Sequence, residues 1–103
     1  MMNKTQELGK TIINLMELEA IARIEYDNAE AIAEETYKKV VYWEHLYKES
    51  GEAEEVGVVL DKLYNEHYET NQAQTEAYDK LEAIQKVLEH LREAVEIVEE
   101  WEL

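Results

Sequence analysis

The feature that most constrains this fold is a single interruption, Ser50-Gly51, in a chain otherwise almost free of helix breakers. The sequence contains no proline and only three glycines, so long helices can form without losing backbone hydrogen bonds to a proline ring. Glycine after a helical run commonly ends a helix. Glu52, Glu54 and Glu55 then suit the positive end of a new helix. The sequence therefore predicts a turn at Ser50-Gly51 between two helices.

The segments on either side of the turn repeat apolar residues at alternating steps of four and three, which keeps one stripe of a helix facing a partner helix. This repeat predicts helices over about 3–49 and about 52–101 within a single helical domain, residues 1–103. We call each stripe a seam. The first seam is Leu8, Ile12, Leu15, Glu19, Ala22, Tyr26, Ala29, Ala33, Thr36, Val40, Trp43 and Tyr47. The second seam is Val56, Leu60, Leu63, His67, Thr70, Gln74, Ala77, Leu81, Ile84, Leu88, Leu91, Val95 and Val98.

Folding the chain at Gly51 brings the two seams together in antiparallel order, with Trp43 near Leu60. The predicted fold is all-α, a long antiparallel helical hairpin with coiled-coil-like packing. Its apolar surface is wider than two helices need, so we expect a homodimer that forms a four-helix bundle; the alternative is that one arm breaks and packs back on itself. The residues beside the seams are Ile13, Met16, Leu18, Ala20, Ile21 and Ile24 in the first arm and Val59, Tyr64, Tyr78, Val87, Ala94 and Trp101 in the second.

Two polar segments could disturb these helices. Residues 70–75 are entirely polar except for Ala73, and Asp27 to Glu30 resembles a capping box. Neither segment contains a glycine or enough residues for a loop. We therefore expect a kink, near 70–75, rather than a reversal of the chain.

The chain is strongly acidic, with 25 Asp and Glu residues against 10 Lys and Arg and a net charge of −15. Direct binding to nucleic acid or to an anionic membrane requires clustered positive charge, so neither partner is expected, whereas a basic protein would be attracted. The sequence has no cysteine, which excludes disulfides. No signal peptide or membrane span is evident, and the expected location is the cytoplasm.

The acidity is concentrated after the turn. Residues 52–103 hold 15 acids and 4 bases, a net of −11, whereas residues 1–51 hold 10 acids and 6 bases, a net of −4. Carboxylates near a helix C-terminus oppose the helix dipole, so local stability does not account for acids at the end of the second helix. They form either a partner-binding surface or a solubilising end. Four of them share one helical face, and we call them the acid row: Glu89, Glu93, Glu96 and Glu100.

The second seam contains a polar stretch, His67, Thr70 and Gln74, which we call the polar seam. It is predicted to lie opposite the small residues of the first seam. Two interpretations are open, a polar layer that fixes the register and a site that bends or exposes a partner surface. The small residues are Ala29, Ala33 and Thr36.

No constellation of catalytic or metal-binding residues stands out. The di-metal motif of helical bundles needs a Glu three residues before each His, and those positions hold Tyr42, Tyr64 and Val87. His45 and Glu49 are spaced to pair on one face, where we expect a solvated pair. We therefore expect neither an enzyme nor a bound metal or other cofactor.

In size, acidity and helicity the chain resembles small acidic phage proteins that inhibit host nucleic-acid enzymes by imitating DNA, although no motif carries this resemblance. The resemblance implies a non-enzymatic inhibitor that uses the acid row to block a basic nucleic-acid-binding protein. The alternative is a structural or assembly coiled-coil module that acts through its apolar and tyrosine surfaces.

Overall fold

The structure is a computed structural model that describes residues 3–102. Over that range it is an all-α hairpin of two long helices without a β-strand. Helix α1 is Lys4–Glu49 and helix α2 is Glu54–Glu102. The predicted all-α hairpin is confirmed. Across residues 3–102, neither helix offers a stretch both long and apolar enough to span a membrane.

The N-terminus of α1 is capped by two reciprocal hydrogen bonds. The backbone N–H of Gln6 donates to Oδ1 of Asn3 at 2.8 Å, and the N–H of Asn3 donates to Oε1 of Gln6 at 3.2 Å. This is a capping box, which satisfies backbone donors that the first helical turn leaves free. Helix α1 therefore begins at Lys4 because Asn3 and Gln6 close its end.

The reversal between the helices is a Schellman cap built on two left-handed residues, Gly51 at φ 68° and Glu52 at φ 65°. The N–H of Glu52 donates to the carbonyl of Tyr47 at 2.9 Å, and that of Gly51 donates to Lys48 at 3.2 Å. The Ser50 hydroxyl accepts from the N–H of Ala53 at 3.3 Å. Glu52 therefore lies in the turn, not in the first turn of α2 as its charge suggested, because its N–H closes the cap of α1 and its φ of 65° is not helical.

All eight buried residues of the described chain lie on the two predicted seams, and every other seam position is at least half-buried. The step pattern thus selects the packed faces of both helices. Both polar segments are helical throughout. The hydroxyl of Thr75 donates to the carbonyl of Asn71 at 3.0 Å, a bond that a helical backbone accommodates. The alternative in which one arm breaks and packs back on itself is therefore wrong, while a bend without a break near 70–75 stays a prediction.

The hairpin divides into two compact units, each containing part of both helices. Unit 1 is Met1–Glu25 with Tyr78–Leu103. It buries Ala22, Leu81 and Leu88, of which Leu88 is the largest fully buried side chain. The Nζ of Lys80 donates to Oε2 of Glu25 at 3.1 Å, and this contact shows which residues lie opposite each other in the antiparallel register of the unit.

Unit 2 is Tyr26–Ala77. Its core is a cluster of Val40, Leu60 and Leu63, against which Trp43, Tyr47 and Val59 pack. The predicted approach of Trp43 to the region of Leu60 is confirmed. Thr36 is a buried polar residue whose hydroxyl donates to the carbonyl of Ile32 at 2.9 Å, so its burial leaves no unsatisfied donor.

Candidate functional site

The acid row lies on the last third of α2, within unit 1. Glu89, Glu93, Glu96 and Glu100 are all exposed. At 1.5 Å of rise per residue, their steps of four, three and four spread them over about 16 Å of helix axis. All four lie on the side of α2 opposite the second seam, and therefore face away from α1. The row is therefore a solvent-facing line of carboxylates that a partner can reach without changing the fold.

Little positive charge lies near the acid row. Arg92 is the only Lys or Arg in residues 88–102. Among the described residues, Glu93 is the one member of the row with an ion-pair partner, Nδ1 of His90 at 3.9 Å. A charge pair this exposed contributes little and is screened by salt. The row therefore keeps most of its negative field.

Just before the acid row, the carboxylate of Glu82 on the same helix is paired with a lysine. The Nζ of Lys86 lies 2.8 Å from Oε1 of Glu82. Its hydrogen bond and charge lower the pKa of Glu82 and raise the pKa of Lys86. Both groups are exposed, so the pair is a local feature of the helix surface with small influence on stability. The pair lies one turn before the acid row begins.

The polar seam lies in unit 2, and two of its members line an open groove of about 430 Å³, which we call the His67 groove. The structure brings His67 and Gln74 together with Ala33, the small residue predicted to lie opposite them. Thr70 is half-buried and turns back to its own helix, where its hydroxyl donates to the carbonyl of His67 at 3.0 Å. The other lining residues are Glu34, Tyr37, Lys38 and Asn71.

The imidazole of His67 is only partly satisfied. Its Nε2 lies 3.2 Å from Nδ2 of Asn71, and its ring centroid lies 5.7 Å from that of Tyr37. Its Nδ1 is buried and has no hydrogen-bond partner among the described residues. If the Asn71 amide donates to Nε2, then Nδ1 carries the proton and remains an unused donor. His67 therefore offers the groove a hydrogen-bonding ring nitrogen and a contact with the ring of Tyr37.

A second groove of about 380 Å³ lies nearer the turn, and we call it the Tyr64 groove. The Tyr64 hydroxyl donates to Oε2 of Glu44 at 3.0 Å, and this bond raises the pKa of Tyr64 above its ordinary 10.0. A Cβ on Gly57 would lie 3.3 Å from Cε2 of Tyr47, so the small residue gives the tyrosine ring its space. The remaining lining residues are Lys48, Leu60 and Asp61.

Sequence reasoning did not single out these grooves. Tyr37, Glu44, Tyr64 and Asn71 each follow a seam residue directly. Positions next to a seam border the contact between two packed helices, so this spacing was the signal that could have found them. Of the residues that line the His67 groove on α2, the predicted polar seam identified only His67 and Gln74.

Exposed aliphatic side chains are concentrated in unit 1. Aliphatic residues on both helices of that unit are about half exposed, although a single hairpin offers no further surface to cover them. Contiguous exposed apolar surface in a folded protein marks an interaction site. These residues are Ile13, Met16, Leu18, Ile21, Ile24, Val87 and Ile97, and Trp101 is exposed as well.

Within residues 3–102, no group of three or more His, Cys, Asp and Glu residues is placed to hold a metal ion. Nε2 of His45 pairs with Oε1 of Glu49 at 3.0 Å, and both side chains are exposed. This confirms the predicted solvated pair.

Comparisons with protein families, with curated proteins and with solved structures found no match to this chain.

Proposed function

We propose that this chain is a non-enzymatic binding protein that presents the acid row to the basic surface of a nucleic-acid-handling protein and thereby blocks that surface. The observation that carries the proposal is the exposure of all four row carboxylates next to a single Arg. Phosphates of one DNA strand advance about 3.4 Å along the axis. The glutamates advance about 4.5–6 Å. Both are regular lines of negative charge that a Lys- and Arg-lined groove attracts.

The physical basis of the proposed binding is electrostatic attraction between the acidic chain and a basic partner, which dissolved salt weakens. A chain with a net charge of −15 accelerates encounter with a basic partner, and this acceleration falls steeply with ionic strength. The Debye length shrinks from about 10 Å at 0.1 M salt to about 3 Å at 1 M. Binding through the acid row should therefore be lost in high salt.

The experiment that tests the proposal is affinity capture from a host lysate at low and high salt, with duplex DNA as competitor. The test variant changes Glu89, Glu93, Glu96 and Glu100 to Gln, which keeps size and helix propensity. The matched control changes four exposed glutamates of α2 in unit 2 to Gln, removing the same charge from the same helix. Those control residues are Glu54, Glu55, Glu66 and Glu69.

We expect capture of a basic nucleic-acid-binding protein that salt and DNA both reverse. The row variant should lose it, and the control variant should keep most of it. Unchanged capture by the row variant would refute the proposal. Equal losses in both variants would show that total charge, and not the row, governs binding.

A second candidate function is a structural or assembly module that acts through apolar and tyrosine surfaces. The observation that favours it is the exposure of four tyrosines in unit 2, Tyr37, Tyr42, Tyr64 and Tyr68. Tyrosine suits interfaces because its ring is apolar while its hydroxyl stays hydrated. This function predicts a partner whose binding changes little between low and high salt and is weakened by Tyr42→Ser with Tyr68→Ser.

A further inference from the structure

The two sides of unit 1 differ in polarity. The Glu25–Lys80 ion pair marks one side of the helix pair. Leu18 lies one heptad before Glu25, and Val87 lies one heptad after Lys80, on the same side of the helix pair. Because the helices are antiparallel, Leu18 and Val87 are at the same height. Two further heptads along α2 add Ala94 and Trp101, whereas the matching positions of α1 hold Thr11 and Lys4. We call this side the apolar flank and define it, with its outer neighbours, as Leu18, Ile21, Val87, Ala94, Ile97 and Trp101.

The opposite side of unit 1 is mostly polar on α2. Its equivalent positions directly follow seam residues and hold Tyr78, Gln85, Arg92 and Glu99 on α2, with Met16 and Arg23 on α1. Helix α1 is thus apolar on both sides at Leu18 and Met16, whereas on this side α2 is polar apart from Tyr78. An apolar surface that both helices share therefore exists only on the apolar flank.

We propose that the apolar flank binds the apolar flank of a second copy of this chain, about a two-fold axis parallel to the helices. This axis lays α1 of one copy against α2 of the other. Leu18 then faces Val87 of the partner subunit, and Glu25 faces Lys80 of the partner subunit. Glu25 and Lys80 lie at the same height in each copy. The two-fold axis therefore creates two contacts between opposite charges, one on each side of the axis.

The dimensions of the flank fit a second copy. From Lys80 to Trp101 the flank extends about 32 Å along α2 at 1.5 Å per residue. Two adjacent helices present a face about 20 Å wide. Two copies would therefore bury roughly 1,200 Å² in total, at the lower limit of specific protein interfaces. The interface is large enough for a reversible dimer.

Charge also permits two acidic chains to approach each other through this face. The acid row lies on the outer side of α2, away from the apolar flank, and Glu25 on the flank is already paired with Lys80. Two chains of net charge −15 can therefore meet on this flank without pressing carboxylates together. This inference goes beyond the proposed function, since the dimer would form whether or not the acid rows bind a basic partner.

Two matched pairs of variants test the surface. Leu18→Glu and Ile21→Glu place a carboxylate on the flank, whereas Met16→Glu and Ile13→Glu place one at the mirror-related positions of α1. The wild-type residues are exposed to similar extents, 50% and 53% on the flank against 47% and 60% at the control positions. Since all four are exposed in the single chain, far-UV circular dichroism should show intact helices in every variant.

The measurement is sedimentation equilibrium of the full chain over a range of concentrations. We expect the wild type at roughly 100 μM to have twice the 12.1 kDa mass of the chain. Leu18→Glu and Ile21→Glu should weaken the dimer by about 100-fold because a carboxylate would lose its water at the interface. Met16→Glu and Ile13→Glu should change the dissociation constant by less than about threefold. A monomeric wild type, or equal losses in both pairs, would overturn the proposal.

The orientation of the two copies is tested by charge exchange and by crosslinking. Glu25→Lys and Lys80→Glu should each weaken the dimer by about tenfold, and the double variant should restore it, because both charges then change together. The chain has no cysteine, so a mixture of Leu18→Cys and Val87→Cys chains can report the predicted contact. That mixture should form a disulfide between copies, and a mixture of Met16→Cys and Val87→Cys should not. The reverse result would exclude the parallel two-fold axis.

Discussion

Unit 2 and unit 1 share the same seam pattern but differ in how much of their apolar surface they bury. Unit 2 buries Val40, Leu60 and Leu63 behind Trp43 and Tyr47. Unit 1 buries Ala22, Leu81 and Leu88, and leaves more of its large aliphatic side chains exposed. Unit 2 is also the more acidic, with 13 acids and 4 bases against 12 acids and 6 bases. The comparison teaches that a seam alone does not complete a core, because the residues beside it decide how much apolar surface is left over.

The kind of exposed apolar side chain differs as well. In unit 2 it is mostly tyrosine, such as Tyr42 and Tyr68, whereas in unit 1 it is mostly aliphatic, such as Ile13 and Ile24. A tyrosine hydroxyl keeps water contact, so an exposed tyrosine costs less than an exposed isoleucine. Unit 1 is therefore the part of the chain whose exposed apolar surface is the more costly to leave in water.

The largest expected effect comes from removing a buried leucine in each unit. We expect Leu60→Ala to cost about 4 kcal/mol and Leu88→Ala about 3 kcal/mol, within the range of such truncations. The smaller loss is expected at Leu88 because only Ala22 and Leu81 are buried with it in unit 1, whereas Leu60 belongs to a cluster with Val40 and Leu63. Urea unfolding at one protein concentration measures both values. Val58→Ala, at an exposed position, is the control and should cost less than about 1 kcal/mol; a larger loss for Leu88→Ala would reverse the comparison.

Gly51→Ala should come next, with a loss of about 1–2 kcal/mol. Gly51 has a φ of 68°, and an L side chain is strained in that region. Gly51→Asn should lose less, because asparagine tolerates left-handed geometry. Hydrogen exchange should locate the loss around the end of α1 in unit 2. Loss of protection in unit 1 alone would contradict this assignment.

The helical glycines give a smaller and opposite effect. Gly9 lies in unit 1 and a Cβ there would meet no atom within 4 Å, so Gly9→Ala should stabilise the protein by about 0.5–1 kcal/mol. Gly57→Ala in unit 2 should gain less, because its Cβ would lie 3.3 Å from Cε2 of Tyr47. The melting temperatures of the two variants compare the open surroundings of Gly9 with the occupied surroundings of Gly57. Equal gains would show that the Tyr47 ring moves aside freely.

The smallest effect is the pH response of the Tyr64 groove. The hydrogen bond to Glu44 raises the pKa of Tyr64 above 10.0 in the folded chain. The associated stabilisation is therefore present below pH 10.0 and is lost as the pH rises through the folded pKa. Absorbance titration of tyrosinate should show a late phase that Tyr64→Phe removes. Glu44→Gln should move that phase to lower pH, and an unchanged phase would contradict the assigned cause.

The packed faces could be predicted from the sequence because burial follows the period of the helix. The same period could not predict the turn in full, since nothing in the type of residue shows that Glu52 is left-handed. It also missed the two grooves, because their shape depends on neighbours across the hairpin, such as Gly57 beneath Tyr47. The acid row was identified by spacing alone, and its exposure follows from its place opposite the second seam.

The capped turn at Gly51 and Glu52 also bears on how the chain reaches its fold. The contact between Glu44 and Tyr64 joins residues 20 apart, and that between Glu25 and Lys80 joins residues 55 apart. Closing the longer loop costs about 0.9 kcal/mol more conformational entropy. We therefore expect Leu60→Ala to slow folding and Leu88→Ala mainly to speed unfolding. The hairpin would then close from its turn outward, and the apolar flank of unit 1 would be the last surface to form.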